Sequence, residues 1–143
     1  MLARLAATQR KPDEGFTLIE LLVVIIIIGI LAAVAIPVLL HQRQKGYDAA
    51  VRSDLHNAAT AEESYLADYD TYSVQTPVGS DLKAEGFKYS PGTNYSGGSS
   101  AITTRVDAAG DAFCLISTSA SGNRLVWDSS AGGLLPDNVD CSF

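Results

Sequence analysis

Glu20 is the residue of this chain whose chemistry most needs an explanation. Residues 21–40, 20 positions in all, carry no charged or strongly polar side chain, and this single carboxylate stands at their head. Placing an ionisable group at the centre of a membrane helix costs about 2.5–3.5 kcal/mol on insertion scales, so an acid in such a segment points to a function. The simplest function is to meet a cation. The competing reading is an acid that reaches the bilayer interface and is favoured by the positive end of a helix.

Other reactive side chains form no constellation. His41 and His56 are 15 residues apart, without HxxxH or HExxH spacing, and read as solvated or interfacial histidines. Asp68 with Asp70, and Asp137 with Asp140, lack an EF-hand pattern. No GxSxG motif lies in the serine-rich stretches. Tyr65, Tyr69 and Tyr72 form a stripe that reads as core packing, and Asn94-Tyr95-Ser96 fits a short glycosylation sequon of low specificity. No catalytic residue, metal site or cofactor is expected. Cys114 and Cys141 are the two cysteines, and in an exported domain an even pair suggests a disulfide. Closing a loop of this size stabilises a fold by about 3.5 kcal/mol in the chain-entropy account.

The elements that must position these residues follow from the patterning. The chain has 143 residues, enough for one compact domain and an appendage. Much of its hydrophobic content lies in residues 16–40, which as a helix would span about 37 Å and cross a bilayer core of about 30 Å. A net charge of −6 argues against a nucleic-acid-binding or polybasic membrane-surface domain. Arg4, Arg10 and Lys11 precede the apolar run and favour a cytoplasmic N-terminus, although Asp13 and Glu14 offset them and Arg43, Lys45 and Arg52 follow on the other side.

After residue 40 the apolar positions Tyr47, Val51, Leu55, Ala58, Tyr65, Tyr69 and Tyr72 recur at helical spacing. One long helix over about residues 16–68 is expected, with Gly46 a weak point inside it. Residues 73–100 read as a loop with a short turn of structure near 81–85. Strand-like runs at 101–106, 112–118 and 124–127 are separated by segments rich in Gly, Asp and Asn, which predicts two hairpins. The fold class is α+β: a long helix, apolar in its first half and amphipathic in its second, packed on a small antiparallel sheet.

The stretch GFTLIELLVVIIIIGILAAVAIPVLLHQR, residues 15–43, resembles the N-terminal signature of type IV pilins and related pseudopilins. A short basic leader ending in Gly, then Phe, then Thr-Leu-Ile-Glu opening a long apolar helix are all present; the rest of the chain is similar only in outline. The resemblance implies a leader over 1–15, a membrane and filament-core half-helix over 16–40, and a globular domain over 41–143. It implies cleavage by a prepilin peptidase between Gly15 and Phe16 and N-methylation of the new amine of Phe16. Glu20 would pair with such an amine and set axial register during assembly. Gly29 and Pro37 would bound a segment that loosens in the filament, since a proline inside a helix costs about 3 kcal/mol or more. Gly29 and Ala33 also make a small-xxx-small pair suited to close helix packing.

The partners implied are further copies of the subunit, the peptidase, an assembly platform with its ATPase, and the cytoplasmic membrane before assembly; an extracellular filament is the destination. No direct nucleic-acid site is evident. Two alternatives stand beside this. One is a pseudopilin of a secretion or competence machine. The other is a secreted enzyme or binding domain, because Ala33-Val34-Ala35 resembles a signal-peptidase site that would leave Ile36 as first residue. Glu20, the preceding Asp13 and Glu14, and an apolar run that continues to Leu40 weigh against it.

Overall fold

The computed structural model describes residues 15–98 and 101–143. Residues 1–14, the expected leader apart from its last residue, lie outside that set. The chain divides into two compact units between Val38 and Leu39. Helix α1, Leu18–Tyr69, contributes to both. It keeps helical geometry through Gly29, Pro37 and Gly46. One lost backbone hydrogen bond is tolerated where regular turns continue on either side.

In the second unit α1 buries Val51, Leu55 and Ala58, part of the stripe expected from the period, together with Ala59, beside Phe113 and Trp127, and Ala61, beside Phe87. The helix ends where Asp70 turns to φ 55 and its N–H donates to the Leu66 carbonyl at 2.8 Å. The tyrosine stripe splits there. Tyr72 is buried against Phe113, whereas Tyr69 is exposed and stacks on Tyr65.

The sheet has four antiparallel strands in the order β1-β2-β3-β4: β1 Thr103–Val106, β2 Phe113–Thr118, β3 Arg124–Asp128 and β4 Gly133–Leu134. Both hairpins form where expected. Asp107 Oδ1 accepts the amides of Asp111 and Ala112 in the first, and Gly122 takes φ 94 in the second, a value that most side chains avoid. Phe113, Leu115 and Leu125 are fully or almost fully buried under α1 in one apolar cluster. The fourth strand, two residues long, was not expected, and the tail beyond it is clasped to β3 by Leu135 N–H to Val126 and Asn138 N–H to Arg124. Cys114 and Cys141 are disulfide-bonded, with Cα atoms 6.2 Å apart. The loop after α1 carries α2, Ser80–Ala84, and gives Val78, Leu82, Phe87 and Tyr95 to the core.

Among the described residues four carboxylates are buried. Asp48, Asp54 and Glu62 project from the same face of α1 as Val51 and Leu55, and each fastens a distant segment: Asp48 binds Ser119, Ser121 and Asn123, Asp54 binds Ser90 and Tyr95, and Glu62 binds the amide of Ser73 and the hydroxyl of Thr104. Asp128, on β3, holds Ser130 and Ser142. Burial raises the Glu62 pKa to about 7, helped by Asp81 and Glu63 and only partly opposed by its hydrogen bonds. At Asp128 burial acts the same way, yet donors from Ser130, Ser142 and Ala131 outweigh it and hold the group down at about 2.

Candidate assembly site at the head of the helix

Thr17 and Glu20 are locked together. The Thr17 N–H and hydroxyl both donate to Glu20 Oε2, at 3.1 and 3.0 Å, and the Glu20 N–H donates back to Thr17 Oγ1 at 3.2 Å. This reciprocal closure is a capping box, which satisfies amides that the first helical turn leaves without partners. Its sequence signal is Thr-x-x-Glu ahead of an apolar run, which here coincides with the family signature and is hidden by it. Among the described residues, nothing in the chain donates to Glu20 Oε1. One oxygen is engaged and the other is free to accept.

Around this cap the chain is bare. Phe16 is 89% exposed, and a side chain added at Gly15 would meet nothing within 4 Å. Packing against the described residues therefore does not require glycine at position 15. From Leu18 to Leu40 every large apolar side chain is exposed, and α1 is long and apolar enough near its N-terminus to cross a membrane. Gly29 likewise has open space beside it. An uncovered apolar rod of this length is unstable in water and needs lipid or other rods against it.

The remaining sequence candidates are accounted for inside the globular unit. Asp137 and Asp140 form ion pairs with Arg52 and Arg124 at 2.6 and 2.7 Å. His56 packs against Trp127, their ring centres 5.2 Å apart. Among the described residues no group of three or more His, Cys, Asp or Glu side chains converges as a metal site would.

Comparison with known proteins bears on the head of the helix first. The family described as the prokaryotic N-terminal methylation motif matches residues 10–36, which include Gly15, Phe16, Thr17 and Glu20. The type IV wide pilus major component PilA4 of Thermus thermophilus is 37% identical over 114 residues, 80% of this chain and 78% of that one. The chain belongs to the type IV pilin family. Shorter matches join this pilin to the type IV major pilin protein PilA of Myxococcus xanthus, 41% identical over 43% of this chain and 28% of that one. The type II secretion system core protein G of Pseudomonas aeruginosa is 36% identical over 45% of each chain. A comparison with solved structures returned no significant match.

Proposed function

We propose that this pilin is the structural subunit of a type IV pilus, stored in the cytoplasmic membrane by its apolar stem and polymerised into a helical filament. The observation that carries the reading is the capped Glu20 with one free oxygen at the head of a wholly exposed apolar helix. Cleavage after Gly15 by a prepilin peptidase removes residues 1–15 and leaves an amine on Phe16, which is then methylated. Glu20 lies one helical turn from that position. A unit charge pair at 4 Å is worth about 4 kcal/mol at an effective dielectric of 20, comparable to the cost of an acid in lipid. An incoming subunit's amine therefore finds Glu20 of a seated subunit a strong axial marker. Residues 16–40 become the filament core and the unit beyond them its surface, while the segment between Gly29 and Pro37 is free to loosen under tension. An ATP-driven platform would lift the subunit out of the membrane, with the N-terminus cytoplasmic beforehand.

Replacing Glu20 by Leu tests the register role. Cleavage and membrane residence should persist while filaments disappear, and normal filaments from that variant would refute it. Gly15→Val should leave unprocessed, unassembled precursor. A pseudopilin role is the second reading, favoured by the match to a secretion-system core protein. Mass spectrometry of filaments sheared from cells separates the two, since a pilus subunit dominates such material.

A further inference from the structure

The basic residues just beyond the stem have no part in polymerisation as proposed. His41, Arg43, Lys45 and Arg52 crowd the 12 residues after Leu40, in a chain whose net charge is −6. In the orientation proposed above this is the flank that membrane proteins tend to leave poor in Lys and Arg. His41, Gln44, Lys45, Asp48 and Arg52 fall on one face of α1 and, with Asp137, line a groove of about 500 Å³ within the second unit.

The groove's acceptors keep spare capacity and most of its donors are unengaged: among the described residues Asp48 Oδ2 accepts from Asn123 alone, and nothing donates to Asp137 Oδ2. Asp48 accepts from Ser119, Ser121 and Asn123, and Asp137 Oδ1 from Arg52. His41, Gln44 and Lys45 make no hydrogen bond or ion pair within the chain among the described residues, and the buried Nε of Arg52 has no partner. We propose that this groove seats a phospholipid headgroup of the phosphoethanolamine kind, its phosphate on His41, Gln44 and Lys45 and its ammonium toward Asp48 and Asp137.

The height along the helix fits. Lys45 lies about 7–8 Å beyond Leu40 at helical rise, and the polar layer of each leaflet is about 5–8 Å deep. Helical side chains lean toward the helix N-terminus, which tips Lys45 back toward Leu40. The chemistry selects among headgroups: a purely anionic one meets two carboxylates in the same groove, and a quaternary ammonium cannot donate to them. The inference rests on the stem crossing a bilayer and is independent of filament formation.

The full chain in nanodiscs of phosphatidylcholine doped with phosphatidylethanolamine or phosphatidylglycerol, followed by native mass spectrometry of retained lipid, tests it. Phosphatidylethanolamine should be retained over both others, and Lys45→Gln and His41→Gln should each lower retention about fivefold, with the disulfide intact and disc association unchanged. Equal retention in both variants, or phosphatidylglycerol held as well as phosphatidylethanolamine, overturns the proposal. So does inorganic phosphate perturbing the Lys45 side-chain NMR signal in pure phosphatidylcholine discs as strongly as the lipid does, which would make this a site for soluble anions. Failure of the chain to enter any disc would instead sink the membrane reading beneath it.

Discussion

Thr17 holds the charge on which assembly is proposed to depend, and its hydroxyl is the smallest group whose removal should be felt. Thr17→Ala deletes two of the three bonds of the cap and should cost about 1 kcal/mol locally, read as roughly fivefold faster amide exchange at Glu20 and Leu21. Unchanged exchange would show that the cap contributes nothing. At the other end of α1, Glu62 sets a pH dependence. Its pKa rises from an ordinary 4.5 to about 7 in the fold, so the folded chain binds the proton more tightly. Stability from this group is full below about pH 4.5 and is lost as pH climbs through 7, by up to about 3 kcal/mol. Asp128, held at about 2, works in the opposite sense: its contribution is present above about pH 4 and lost as pH falls through 2. Denaturant melts across pH should show Glu62→Gln flattening the decline between pH 5 and 8 while leaving the acid limb in place. A decline as steep as in the parent chain would remove Glu62 from the account.

At the level of elements, the C-terminal tail has two fastenings that sit side by side. Cys141 is bonded to Cys114, and the next residue, Ser142, donates from both its amide and its hydroxyl to Asp128 at 2.8 Å. Replacing Cys141 by Ser should therefore lower stability by about 2–4 kcal/mol yet leave the tail protected from protease, whereas the same change with Asp128→Asn should release it. A tail cleaved equally fast in both variants would mean that the carboxylate does not hold it. Much of this architecture was legible beforehand. The span of α1, both hairpins and the cysteine pair follow from period, turn residues and compartment. The two-residue strand did not, because a Gly-Gly-Leu-Leu segment has no alternation to read and is held by its pairing with Trp127 and Asp128 of β3 rather than by propensity. Asp48, Asp54 and Glu62 were missed for a different reason. Asp48 and Glu62 continue the 51-55-58 stripe in both directions, but an apolar count treats any acid as solvent-facing. The loop's part in the core was hidden likewise, since Val78, Leu82, Phe87 and Tyr95 are scattered among glycines and serines without a period.

For the molecule as a whole, the two units make different demands on their surroundings. The globular unit owns its apolar cluster, its sheet and its disulfide, all within residues 39–143. A chain starting at Gln42 should be water-soluble, monomeric on size exclusion and cooperatively folded, while the chain that keeps residues 16–40 should need detergent or lipid. Aggregation of the shortened chain would show that the stem supports the fold.

The acids inside that unit have a consequence for where it can work. Asp54, Glu62 and Asp128 accept their hydrogen bonds from hydroxyl and peptide donors, not from lysine or arginine, among the described residues. Small ions weaken attraction between exposed opposite charges over about 10 Å at 0.1 M but have little hold on a short bond from a neutral donor in a dry interior. Its interior should therefore be as firm in brine as in fresh water, so that each unit carried on a fibre would keep its fold when the organism's habitat changes salinity.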